Sequence, residues 1–124
     1  NETEDKWRIQ DMVQSTDLAT SGGGGFDYFG GSVRISGDKV VVGAYAEAPG
    51  NLTRAGSAYV FERSGTSWSQ TSKLNASTPV AQDLFGKSVN ISPDGVIVVS
   101  APGDDTTQNF SGAVYIFSPD VITW

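Results

Sequence analysis

The chain has no cysteine and no histidine, and its eight lysines and arginines are outnumbered by fourteen aspartates and glutamates. Without Cys or His the sequence can form no disulfide, thiol nucleophile, Cys- or His-ligated metal site or Ser-His-Asp triad. A formal net charge of −6 repels phosphate and does not favour nucleic acid or an anionic membrane surface, so neither nucleic acid nor membrane insertion is expected. No apolar run is long enough to insert in a membrane, and there is no signal-peptide pattern. If secreted, the chain is therefore processed or part of something longer. The lone carboxylates Glu47, Glu62 and Asp83 show no partner for acid–base chemistry, and the chain reads as non-enzymatic.

What the sequence does have is glycine, serine, threonine and short valine-rich runs, over 124 residues. That composition reads as all-β. All five asparagines stand in N-glycosylation acceptor patterns: Asn1-Glu2-Thr3, Asn51-Leu52-Thr53, Asn75-Ala76-Ser77, Asn90-Ile91-Ser92 and Asn109-Phe110-Ser111. This points to passage through a secretory pathway and to an extracellular or cell-surface location. Gly22 to Gly25 forms a loop; no Lys-Ser/Thr pair or helix follows to make it a phosphate cradle.

The sequence repeats itself. Phe29-Gly30-Gly31-Ser32-Val33-Arg34-Ile35-Ser36 matches Phe85-Gly86-Lys87-Ser88-Val89-Asn90-Ile91-Ser92 at an offset of 56. Val40-Val41-Val42-Gly43-Ala44 matches Ile97-Val98-Val99-Ser100-Ala101, and Gly56-Ser57-Ala58-Tyr59-Val60-Phe61 matches Gly112-Ala113-Val114-Tyr115-Ile116-Phe117. Trp7, Trp68 and Trp124 recur at one repeat position, which reads as packing rather than sugar stacking. Each period carries four strand candidates. Gly37-Asp38 and Pro93-Asp94-Gly95 are turn signals between the first and second strands, and Ser64-Gly65-Thr66 is one between the third and fourth. Four short antiparallel strands per repeat make a propeller blade.

Phe-Gly-x-Ser-Val-x-Ile-Ser, Val-Val-Val-Gly-Ala and Gly-x-Ala-Tyr-Val-Phe together resemble the FG-GAP repeat, known from the β-propeller of integrin α chains. The resemblance covers most of Asp27 to Trp68 and Asp83 to Phe117. Ala101-Pro102 keeps the Ala-Pro of the family name and Ala44-Tyr45 does not. The resemblance implies a propeller-type fold in adhesion or recognition, without implying an enzyme. Calcium-binding relatives carry an Asp-rich loop near the second strand. Here Ser36-Gly37-Asp38-Lys39 and Ser92-Pro93-Asp94-Gly95 offer one carboxylate each, too few for a cation that needs six or more oxygens. No cofactor is expected. Asp104 and Asp105 are the remaining weak calcium candidates, and they read first as solvated loop carboxylates.

The expected architecture is all-β: two four-stranded antiparallel FG-GAP blades, incomplete alone and completed by strand exchange with neighbouring units. Residues 1–14 match a blade's fourth strand, 15–74 form the first blade, and 75–124 form a second blade lacking its own fourth strand. Two blades cannot close a propeller. Trp7, Ile9, Met12 and Val13 would complete the second blade of a neighbour by strand addition, and Trp124 marks the vacancy. The partners are then copies of this chain or adjacent repeats, together with N-linked glycans. Extracellular protein or carbohydrate ligands also suit a surface module. A glycan coat is expected at Asn51, Asn75 and Asn109, with Asn1 in the N-terminal extension. Asn90, inside a strand and followed by Ser92-Pro93, reads as structural. The leading function is a structural or adhesive unit assembling head to tail into a fibre or array. The alternatives are a ligand-binding part of a larger closed propeller and an accessory domain of a secreted hydrolase.

Overall fold

Alternating apolar residues, punctuated by glycine-bearing turns, give seven strands in a computed structural model that describes residues 6–15, 27–104 and 111–119. Strands β1 (Phe29–Ser36) and β2 (Lys39–Ala44) are joined at Gly37-Asp38. A short 3-10 turn at Pro49–Asn51 leads to β3 (Ser57–Ser64), which turns at Gly65-Thr66 into β4 (Ser67–Leu74). These four pair antiparallel in the order β1-β2-β3-β4. The second sheet has the order β5-β6-β7, from Val89–Ile91, Ile97–Ala101 and Ala113–Phe117. The expected blades are thus present, one with four strands and one with three.

The repeat is visible in the packing. Phe29 meets Tyr59 and Phe61 edge-on at 5.5 and 6.0 Å between ring centroids. Phe85 meets Tyr115 and Phe117 in the same way at 5.4 and 6.1 Å. The main core lies between the blades. Val41, Ala58 and Val60 of the first blade pack against Phe85, Val89, Ile91, Ile97 and Val99 of the second.

Backbone approaches backbone at this joint. Gly56 bridges to Phe85 in parallel, Phe85 N donates to Ala55 O at 2.9 Å, and Ser32 Oγ donates to Gly86 O at 2.9 Å. Gly43 lies directly under the Gly86 carbonyl, where any side chain would collide with it. Glycine is therefore required at Gly43 for reasons of space alone.

Residues 6–15 form no strand. They lie against the first blade through side chains rather than a backbone ladder. Asp11 Oδ2 accepts from Trp68 N at 2.8 Å, and Gln10 Oε1 accepts from Trp68 Nε1 at 2.8 Å. Val13 packs on Val42, Tyr59 and Phe61. The recurring tryptophans therefore differ. Trp68 is half-buried in this contact, whereas Trp7 is fully exposed and packs on nothing within the described residues.

Candidate assembly interface

Strand register assigns each side chain to a face. In the first blade Val33 and Ile35 stand opposite Val42 and Val40, and these in turn stand opposite Tyr59 and Phe61. This is the face turned away from the second blade. The other face carries Val41, Val60, Gly43 and Ala58 and meets the second blade. In the second blade Val89, Ile91, Ile97, Val99, Tyr115 and Phe117 face the first. Asn90, Val98, Ser100, Val114 and Ile116 form the opposite face.

Repeat-equivalent residues on these faces differ sharply in exposure. Val89 and Ile91 are 7 and 8% exposed, while their counterparts Val33 and Ile35 are 48 and 63% exposed. Ala58 and Val60 are 0 and 5% exposed, while their counterparts Val114 and Ile116 are 60 and 69% exposed. By repeat position, the two outer faces correspond to the two faces that meet in the joint between the blades. The outer edge of β7 also has no strand beside it among the described residues. Residues 10–15 shield part of the first blade's outer face. Gln10, Asp11 and Val13, with Ile35, Val40, Phe61 and Trp68, enclose a cleft there of about 290 Å³. Of the expected assembly residues, Trp7, Ile9 and Met12 are exposed and Val13 is half-buried. Trp124 lies outside the described residues.

The carboxylates read from sequence as lone or solvated have partners here. Glu47 is fully buried and has partners: it accepts from Tyr59 Oη at 2.6 Å and pairs with Lys73 Nζ at 2.7 Å. Lys73 also sits 5.4 Å from the Tyr59 ring centroid. Asp104 is not a solvated loop residue. It is buried and accepts from Tyr115 Oη at 2.5 Å. Burial first, and then the bond to Glu47, pushes the Tyr59 hydroxyl up to about 12. The bond to Asp104, and then burial, pushes Tyr115 up to about 12. Asp83 is likewise buried and accepts from Val80 N at 2.9 Å. Glu62 faces Lys39 at 3.7 Å on the surface. Glu47 and Asp104 hold loops onto β3, β4 and β7, and Asp83 closes a turn within its own loop, where an unpaired charge would be costly. Among the described residues no three acidic side chains converge to hold a metal ion. Asp105 lies outside those residues.

The acceptor asparagines are also dissimilar. Asn51 is exposed at the end of the 3-10 turn, between β2 and β3. Asn75, just past β4, is half-buried. Its Nδ2 donates to Gly56 O at 3.2 Å and to Ser57 Oγ at 2.8 Å. Asn90 is exposed within β5, as its place in the repeat requires, and its Oδ1 accepts from Ile91 N. Asn1 and Asn109 lie outside the described residues.

The FG-GAP repeat family model matches residues 12–61 and 68–117; the first match takes in β1 to β3, and the second runs from β4 of the first sheet through β5 to β7. No curated protein matches the chain in sequence. The two family matches cover most of the chain and stand 56 residues apart, the same offset as the sequence repeat, each ending on the third strand of a sheet. The chain belongs to the FG-GAP repeat family.

Proposed function

We propose that this chain is an extracellular, N-glycosylated structural unit that assembles head to tail, the outer face of the second blade docking on the outer face of the first blade of another copy. The supporting observation is the exposure of Val33 and Ile35 on one end and Val114 and Ile116 on the other. Their repeat equivalents are buried against each other inside the chain. The contact is heterologous, so it closes into a ring or grows into a fibre.

Magnitudes say what else the contact needs. These four side chains are about half covered already, so burying them contributes on the order of 1 kcal/mol each. A total near 4 kcal/mol only reaches the low end of the association cost, about 4–15 kcal/mol. Strand addition supplies the remainder in this reading. Trp7 to Val13 of one copy leaves its own first blade and pairs with the β7 edge of another. Non-enzymatic assembly of this kind suits a structural or adhesive role at a cell surface. The same reading leaves Asn90 unmodified, because it shares the docking face with Val114 and Ile116.

The test uses two variants, Ile35→Lys and Ile116→Lys, both at exposed sites. Each alone is expected to remain monomeric in sedimentation velocity, while wild type forms larger species visible by electron microscopy. Mixed, the two variants each contribute one intact face and are expected to give dimers and nothing larger. Wild type that stays monomeric at high concentration, or variants that assemble unchanged, would refute the reading. Deleting residues 1–14 tests strand addition separately: unchanged assembly would eliminate it.

A further inference from the structure

The two acceptor patterns of the first blade, centred on Asn51 and Asn75, present their amide nitrogens in opposite ways. Asn51 sits at φ 67 in an exposed turn, and Thr53, the hydroxyl residue of its pattern, is exposed beside it. No described side chain or carbonyl accepts from its Nδ2. The Asn75 Nδ2 points inward and spends both hydrogens, one on Gly56 O and one on the hydroxyl of fully buried Ser57. Gly56 belongs to the joint between the blades, through its bridge to Phe85.

We propose that Asn51 carries the N-glycan of the first blade, and that Asn75 stays bare and latches the end of β4 to the start of β3. In the transfer, Asn51 Nδ2 attacks the anomeric carbon of an N-acetylglucosamine-terminated oligosaccharide linked to a polyprenyl pyrophosphate. An N–C bond forms, the lipid pyrophosphate leaves with the bonding pair, and one amide proton is lost. The same substitution at Asn75 would remove one of two hydrogens that are both engaged. It would also place a sugar against Gly56 and the fully buried Ser57. A folded chain with sugar at Asn75 would therefore lose the latch, whereas sugar at Asn51 extends into solvent. The inference rests on the reading of the chain as a secreted glycoprotein, and the experiment separates the two.

The full chain is secreted from a glycosylating eukaryotic host behind an added signal sequence, and each acceptor peptide is mapped by mass spectrometry before and after enzymatic deglycosylation. The expected result is sugar on Asn51 and none on Asn75. Sugar on Asn75 in the folded, secreted protein overturns this inference and leaves the glycoprotein reading standing. No sugar on any acceptor overturns both. A second measurement uses unglycosylated protein made in bacteria. Asn75→Ala, which removes two hydrogen bonds, is expected to lower Tm by about 5 °C or more. Asn51→Gly, chosen because glycine accepts the positive φ, is expected to leave Tm unchanged. Equal Tm values for the two variants would overturn the latch.

Discussion

Replacing Gly43 by alanine puts the joint between the blades to a direct test. The added methyl carbon would stand 2.1 Å from the Gly86 carbonyl oxygen, where real contacts do not fall below 3.0 Å. The carbonyl must then withdraw by about 1 Å, and it is held in place by the Ser32 hydroxyl. A radial gap of 0.5–1 Å forfeits roughly a quarter to a half of the dispersion attraction across it. Val41, Ala58 and Val60 face Val89 and Ile91 over this joint. At about 2 kcal/mol of burial for each valine and isoleucine and about 0.8 kcal/mol for the alanine methyl, the loss is about 2–4 kcal/mol. Whole domains are stable by only about 5–15 kcal/mol. With a urea slope of about 1–3 kcal/mol per molar, the unfolding midpoint should fall by about 2 M. Gly37→Ala is the control. It lies at φ +57 with nothing within 4 Å, so it carries only left-handed strain of about 1–2 kcal/mol. A Gly43→Ala midpoint no lower than that of Gly37→Ala would refute the argument.

Two further outcomes follow from groups already described. Tyr59 and Tyr115 are raised to about 12, whereas an unfolded tyrosine titrates near 10, so the folded state holds more protons between those values. Stability should be full below pH 10 and fall as pH rises from 10 to 12; a urea midpoint that stays flat across that window would contradict it. The Asp11 carboxyl is held below its ordinary value by the backbone N–H of Trp68 and then that of Met12, so its contact is present above pH 3.8 and is lost as pH falls through the lowered value. Asp11→Ala should release residues 6–15 at neutral pH, speeding tryptic cleavage after Arg8 and shifting Trp68 emission to the red; unchanged cleavage would disprove the tether.

The strands and turns were legible because both signals are local. Alternation in Ser32 to Ser36 and the Gly37-Asp38 and Gly65-Thr66 turns act within a few residues, and the repeat states each of them twice. Partners distant in sequence were not legible. Glu47 and Asp83 showed no partner, and Asp104 looked like a solvated loop carboxylate, because nothing adjacent shows what covers them. One signal was available. Ala44-Tyr45-Ala46-Glu47 and Ala101-Pro102-Gly103-Asp104 place an acid at the same repeat position, and each repeat also supplies a tyrosine, Tyr59 or Tyr115. An acid and a tyrosine recurring in step mark a buried pair. The N-terminal segment's place within its own chain was hidden for another reason. Trp7 to Val13 has the spacing of Trp68 to Leu74, but a strand needs an edge to pair with. Within the chain this segment meets side chains of the first blade rather than an open ladder. The acceptor patterns named the asparagines, while only geometry separated exposed Asn51 from engaged Asn75.

The substitution of Gly43 by Ser100 at the equivalent place in the second blade sets the rhythm of any stack. Inside the chain, a carbonyl rests on bare backbone and the blades sit as close as two main chains can. Between copies, Ser100 carries a Cβ where Gly43 has none, and Val114 and Ile116 are bulkier than Ala58 and Val60. Spacings in a stack would then alternate, narrow within a copy and wide between copies. Its true period would be the pair of blades rather than the single blade. An image average that assumed one blade per step would blur two different joints into one.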